Sequence, residues 1–99
     1  MTQTVSQRAE VTIQIPSALR RFTEEHRMVT VAGSTVREAL EALVSQYPAL
    51  KTHLFTQEGQ LRSYVNVYLG EEDIRYLQGL DTPLTPGVRL ALIPSIAGG

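Results

Sequence analysis

One amphipathic helix set between alternating strands most restricts how this 99-residue chain can fold. In the segment STVREALEALVSQYP, apolar side chains recur at spacings of three and four, which predicts a helix with one apolar stripe. The stripe consists of Val36, Leu40, Leu43, Val44 and Tyr47. Thr35 and Glu38 have the spacing of a capping box, in which each side chain accepts a hydrogen bond from a free backbone N–H. Pro48 ends the predicted helix because it has no N–H to donate.

Strands are predicted on both sides of this helix, where apolar residues occupy alternate positions. The segments EVTIQIP and RMVTVAG precede the helix and are close enough in sequence to form an antiparallel hairpin, with RRFTEEH as a polar turn between them. A long loop with a short helical turn then leads to a strand in SYVNVYLG, a short strand around Ile74 and a last strand in VRLALIP. This order predicts an α+β fold in which the helix covers one face of a mixed sheet of about five strands.

The length of the chain predicts a single domain. We expect a disordered tail over residues 1–8, the folded domain over residues 9–94 and a flexible C-terminal tail over residues 95–99. The start of the sequence lacks the apolar core of a signal peptide and no segment approaches transmembrane length, so a cytoplasmic location is expected. A net charge of −1 argues against nucleic acid or a membrane as a partner.

A search for internal chemistry finds no group that would make this chain an enzyme. The absence of cysteine excludes disulfides, thiolate metal sites and cysteine nucleophiles. His26 and His53 lack the spacing of metal ligands, and both are predicted to be exposed to solvent. Glu71, Glu72 and Asp73 could bind a cation or meet a basic partner, but a solvated turn is the simpler interpretation. We therefore expect no catalytic residue, no metal site and no bound cofactor.

The sheet face that points away from the helix carries a candidate contact surface. Strand alternation places six residues on it, and they become neighbours if the third and last strands pair. These residues, here called the open-face patch, are Tyr64, Asn66, Tyr68, Arg89, Ala91 and Ile93. Tyrosine is enriched at the centres of interfaces, which favours a partner surface. The alternative is that tyrosine occurs on strands because of its β-propensity alone.

The sequence ends in IPSIAGG, and its last glycine is the candidate for modification. Two glycines at two given positions occur by chance in about 0.5% of chains, so the pair alone is weak support. An α-carboxylate is ionised at neutral pH and stays unreactive until a better leaving group replaces an oxygen. Residues without a Cβ fit a narrow channel. We therefore predict that Gly99 is modified by a partner enzyme, while Ile96, Ala97 and Gly98 thread into it.

Residues 10–99 resemble the ubiquitin-like sulfur carrier proteins, a group with the β-grasp fold. The group includes the thiamin-biosynthetic carrier and the small subunit of molybdopterin synthase. The resemblance is carried by VTIQIP, GSTVREALEALVSQYP, YVNVYLGEEDIRYLQGLDTPL and PGVRLALIPSIAGG. Within the group, VNVY, EDIRYLQGL and IPSIAGG resemble most the carriers that donate sulfur for cysteine biosynthesis. The segment DTPLTPG also resembles the molybdopterin-synthase subunit, which leaves the subfamily open.

The resemblance implies how such a terminus works. The first and last strands would be parallel neighbours at the sheet centre. An enzyme related to ubiquitin-activating enzymes would use ATP and Mg to adenylate Gly99, and sulfur transfer would then give a thiocarboxylate. A pyridoxal-phosphate-dependent cysteine synthase would accept the sulfur, and a peptidase would release the product. Three alternatives remain: a molybdopterin-synthase small subunit, a ubiquitin-like modifier joined to lysines, and a binding domain whose terminus has no role.

Overall fold

The structure is a computed structural model that describes residues 9–94, and the tails predicted at residues 1–8 and 95–99 lie outside this range. The strands are β1 (Ala9–Gln14), β2 (Met28–Gly33), β3 (Val65–Leu69), β4 (Glu72–Asp73) and β5 (Arg89–Pro94). The helices are α1 (Val36–Gln46) and α2 (Lys51–Leu54), with 3₁₀ helices at Ser17–Thr23, Pro48–Leu50, Ile74–Tyr76 and Gly79–Asp81. Within residues 9–94, no helix is long and apolar enough to cross a membrane.

The five strands form one mixed sheet in the order β2-β1-β5-β3-β4. β1 and β2 make the predicted antiparallel hairpin, from the pair Ala9–Gly33 to the pair Gln14–Met28. β5 lies between β1, to which it is parallel, and β3, to which it is antiparallel. The predicted mixed sheet of β-grasp type, with its last strand at the centre, is therefore confirmed.

The core lies between α1 and one face of this sheet. Alternation along the strands directs Val11, Ile13 and Leu90 toward the helix, and each is at most 1% exposed. From α1, the fully buried side chains are Val36, Ala39, Leu40 and Leu43. Two members of the predicted stripe, Val44 and Tyr47, are only partly buried, whereas Ala39, which lies outside the predicted stripe, is completely buried.

A close approach between β2 and α1 explains the glycine at the end of β2. A Cβ on Gly33 would lie 2.7 Å from the backbone nitrogen of Ala39, closer than real Cβ contacts allow. A glycine and an alanine at this crossing let the backbones approach, which positions α1 over the sheet.

The N-terminus of α1 is capped by two side chains, although one bond differs from the predicted capping box. Thr35 Oγ1 accepts a hydrogen bond from the backbone N–H of Glu38 at 3.2 Å, as expected. Glu38 Oε1 accepts from the backbone N–H of Ser34 at 2.8 Å and from its hydroxyl at 2.7 Å, rather than from Thr35. The Glu38 side chain therefore bonds to Ser34, the residue after β2, and links the end of that strand to the first turn of α1.

Two local predictions are corrected by the structure. The segment RRFTEEH is not a simple turn: most of it belongs to the 3₁₀ helix Ser17–Thr23, and Thr23 is completely buried. Glu24 and Glu25 follow with φ angles of 55° and 65°, in a region that costs a residue with a Cβ about 1–2 kcal/mol. The short strand predicted around Ile74 ends at Asp73, and Ile74 begins a 3₁₀ helix. The predicted helical turn in the long loop is α2.

Candidate functional site at the open face of the sheet

The sheet face opposite α1, here called the open face, brings together four members of the open-face patch. Asn66 lies opposite Ile93, and Tyr68 lies opposite Ala91, in the antiparallel pairing of β3 with β5. Directly opposite side chains on one face of such a pair are about 4.5–5.5 Å apart at Cβ. Ile93 is 45% exposed, an unusual fraction for an isoleucine on a central strand. These residues therefore form a continuous surface of mixed apolar and polar character.

The other two patch residues lie at its opposite margins. Tyr64 precedes β3 and is 41% exposed, close to the pair formed by Val65 and Pro94. Arg89 lies at the start of β5, opposite Thr12, and is separated from Ile93 by about 13 Å of strand. The structure thus places Tyr64 near the end of β5 and Arg89 far from it.

The end of β5 is paired with β3, which fixes the position of Pro94, the last described residue. Pro94 is paired with Val65 of β3, whereas the pairing with β1 covers only Arg89–Ala91 at the start of the strand. Gly99 and the threading residues Ile96, Ala97 and Gly98 lie outside the described residues, so their predicted roles stay predictions.

An ion pair that the sequence analysis missed borders this face. Asp73, predicted to lie in a solvated turn, has a side chain only 5% exposed and is opposite Tyr68 in the pairing of β3 with β4. Its carboxylate accepts from the Arg75 side chain at 2.7 Å from Nη2 to Oδ2, and from the Arg75 backbone N–H at 2.8 Å. These hydrogen bonds hold the pKa of Asp73 below its usual value, against the opposing effect of burial. The Asp-x-Arg spacing of DIR, with Asp73 as a cap, was the signal available in the sequence.

The remaining candidates for internal chemistry do not form a site. His26 is exposed as predicted, with its Nδ1 2.8 Å from the carbonyl oxygen of Thr23. His53 is not freely exposed: it is partly buried, and its ring stacks on Phe22 with 4.3 Å between centroids. Among residues 9–94, no group of three or more histidine, aspartate or glutamate side chains could hold a metal ion. The open face and the end of β5 are therefore the candidate functional site within residues 9–94.

Comparisons with known proteins agree with this arrangement. A profile of the ThiS family matches residues 13–99. The sulfur carrier protein CysO of Mycobacterium tuberculosis is 32% identical over 91 residues, which cover 90% of this chain and 98% of that protein. Small archaeal modifier protein 1 of Haloferax volcanii is 36% identical over 66 residues, or 67% of this chain and 71% of that protein.

The fold agrees equally well with a solved structure. A chain in the crystal structure of the Amycolatopsis orientalis BexX/CysO complex superposes with a TM-score of 0.82 at 35% identity, covering 90% of this chain and 99% of that one. Relatives of this kind are small carriers rather than catalysts, and a carrier implies an activating enzyme and an acceptor as partners. The chain belongs to the ThiS family, and it is a non-enzymatic sulfur carrier of the same type as ThiS, CysO and the small archaeal modifier proteins.

Proposed function

We propose that this chain carries sulfur as a thiocarboxylate on Gly99 and donates it for cysteine biosynthesis. The observation that carries the proposal is the similarity to the sulfur carrier CysO, which extends over 98% of that protein's length. The pairing of β5 with β3 up to Pro94 is consistent with it, because it gives the C-terminal segment a rigid base. The carboxylate itself is the substrate, and the catalytic groups belong to partner enzymes.

The chemistry at Gly99 has two steps. The carboxylate attacks the α-phosphate of ATP, bound with Mg by an activating enzyme, and pyrophosphate leaves as the acyl-adenylate forms. A sulfide equivalent then attacks the acyl carbon, the bond to AMP breaks, and the thiocarboxylate remains. In this proposal Ile96, Ala97 and Gly98 thread into the partner's active site and bring Gly99 to the reacting groups. No Cβ crowds the reacting carbonyl of Gly99.

The acceptor in this proposal is a pyridoxal-phosphate-dependent cysteine synthase. Transfer of the sulfur leaves cysteine joined to Gly99, and a peptidase releases it and regenerates the carboxylate. The open-face patch is the surface on which these partners dock, with Tyr68, Ala91 and Ile93 at its centre and Asn66, Tyr64 and Arg89 around them. Aromatic residues and arginine in such a surface are typical of protein interfaces.

A mass measurement on protein isolated from its host tests the proposal. Replacement of one carboxylate oxygen by sulfur adds about 16 Da, a change that must map to Gly99. Oxidation of methionine adds nearly the same mass, and Met28 is 45% exposed. Fragmentation must therefore place the added mass on Gly99 and on neither of the two methionines, and a chain lacking Gly99 should lose it. A thiol alkylator should label the terminus alone, because the chain contains no cysteine. Failure of ATP and the activating enzyme to modify Gly99 would overturn the proposal.

A modifier function is the second candidate, favoured by the 36% identity to small archaeal modifier protein 1 over 66 residues. In that function Gly99 would be joined to lysine side chains of other proteins. Conjugates visible on denaturing gels, and lost when Gly99 is removed, would support it. For the carrier function, cysteine auxotrophy on deletion supports the proposed acceptor. Loss of molybdenum cofactor, together with a stable complex with a larger synthase subunit, would instead identify a molybdopterin-synthase subunit.

A further inference from the structure

The ion pair at the edge of the open face combines a buried anion with an exposed cation. The side chain of Asp73 is 5% exposed, whereas that of Arg75 is 64% exposed. Asp73 accepts from Arg75 Nε at 3.1–3.2 Å and from Nη2 at 2.7 Å. Among the described residues, the remaining nitrogen of the guanidinium, Nη1, makes no hydrogen bond. The arginine is thus fixed in orientation along one edge while its other edge stays available to solvent.

A groove of about 340 Å³ lies beside this arginine. It follows the outer edge of β3, on the side where β4 pairs only with Tyr68 and Leu69. Its charged lining consists of Arg62, Asp73 and Arg75, and the one carboxylate among them is already paired. Arg62 is held in place by a hydrogen bond from its Nε to the carbonyl oxygen of Thr52 at 2.6 Å. The groove therefore has an excess of positive charge, which is complementary to an acidic group.

The groove is continuous with the open face. Asp73 is the cross-strand partner of Tyr68, and Asn66 of the open-face patch also lines the groove. Tyr76, next to Arg75 in sequence, is 83% exposed. Tyrosine and arginine, with tryptophan, are enriched among the interface residues whose truncation to alanine weakens binding most.

The local backbone explains why an aspartate stands at position 73. It does not explain why the Arg75 side chain is held in a fixed orientation and exposed to solvent. Asp73 caps the 3₁₀ helix Ile74–Tyr76 through the backbone N–H of Arg75, a bond that needs no arginine side chain. Because the guanidinium of Arg75 is exposed and screened by solvent, its attraction to Asp73 adds little to stability. A fixed arginine at the margin of an interface, in contrast, steers a charged partner and sets its orientation.

We propose that Arg75, held by Asp73, binds an acidic side chain of the activating enzyme when that enzyme docks on the open face. This inference rests on the proposed function, since it names the chemistry of the partner at the docking surface. Arg75 is a positioning residue: it orients the carrier so that the segment after β5 enters the partner's active site. The free edge of its guanidinium forms a hydrogen-bonded ion pair with one carboxylate of the enzyme.

The experiment compares variants of the full chain in binding to the host's purified activating enzyme by calorimetry, and in the rate of adenylation at Gly99. Arg75→Ala alone would leave the buried Asp73 carboxylate unpaired and could destabilise the fold. The double variant Asp73→Asn/Arg75→Ala removes both charges and keeps an oxygen to cap the 3₁₀ helix. Arg75→Lys keeps the charge without the planar fork. Arg37→Ala, on the exposed side of α1, is the matched loss of one surface arginine.

We expect the double variant to bind about tenfold more weakly near physiological ionic strength, with an association rate that depends less on salt. Arg75→Lys should fall between it and the wild type, and Arg37→Ala should equal the wild type. Equal affinity and equal salt dependence in the wild type and the double variant would overturn this inference while leaving the proposed function intact. An activating enzyme that fails to adenylate even the wild type would overturn the proposed function, and this inference with it.

Discussion

Along β5, Leu90 and Leu92 are 0% and 3% exposed, whereas Ile93, the next residue, is 45% exposed. The two faces of one strand therefore use aliphatic side chains for different purposes. On the helix face, close packing against α1 gives the domain its stability. On the open face, similar side chains remain accessible beside tyrosines and are available to a partner. Hydrophobicity alone therefore does not place a residue in the core; the face of the strand on which the residue lies does.

The largest difference between the two faces should be in the free energy of unfolding. Leu90→Ala leaves a cavity among fully buried neighbours and should cost about 2–5 kcal/mol. Ile93→Ala removes an exposed side chain from the same strand and should change stability by about 0.5 kcal/mol or less. Urea unfolding of both variants measures the contrast. Similar losses for the two would mean that the open face is covered in the free protein.

A charge placed on the open face should change binding rather than folding. Tyr68→Glu and Ile93→Glu put a carboxylate into the proposed docking surface and should weaken the complex with the activating enzyme about tenfold or more. Thr30→Glu, on the same face but on the edge strand β2, serves as the control. Circular dichroism checks that all three remain folded. Unchanged adenylation of Tyr68→Glu and Ile93→Glu would remove this surface from the proposed function.

The smallest effect concerns the border of the open face and depends on pH. The pKa of Asp73 is lowered below its ordinary value of 3.8 by the hydrogen bonds from Arg75, so its ionised form favours the folded state. This contribution is complete above the unfolded pKa and is lost as pH falls through the lower folded pKa. The stability advantage of the wild type over Asp73→Asn should therefore narrow in acid. Unfolding midpoints at about pH 7 and about pH 3 test it, and a constant difference would contradict the assignment.

Hydrophobic periodicity and helix-capping residues determined most of the secondary structure, because both depend on residues that are close together in the sequence. They located α1, the hairpin of β1 and β2, and the side of each strand on which Val67, Tyr68 and Leu90 lie. The resemblance to sulfur carriers, carried by whole stretches of sequence, supplied the parallel pairing of β1 with β5. Local patterns alone only permitted that pairing, since strands distant in sequence are brought together by packing.

Tertiary structure decided the features that depend on which groups meet across the fold. The Glu38 carboxylate accepts hydrogen bonds from Ser34 rather than from Thr35, where the end of β2 at Gly33 closely approaches the helix backbone at Ala39. Asp73 is buried and bound to Arg75, although three consecutive acidic residues suggested a solvated turn. Burial and hydrogen bonding of a carboxylate depend on its three-dimensional neighbours, so the sequence could place Asp73 in the chain but could not show that it fixes an exposed arginine beside the open face.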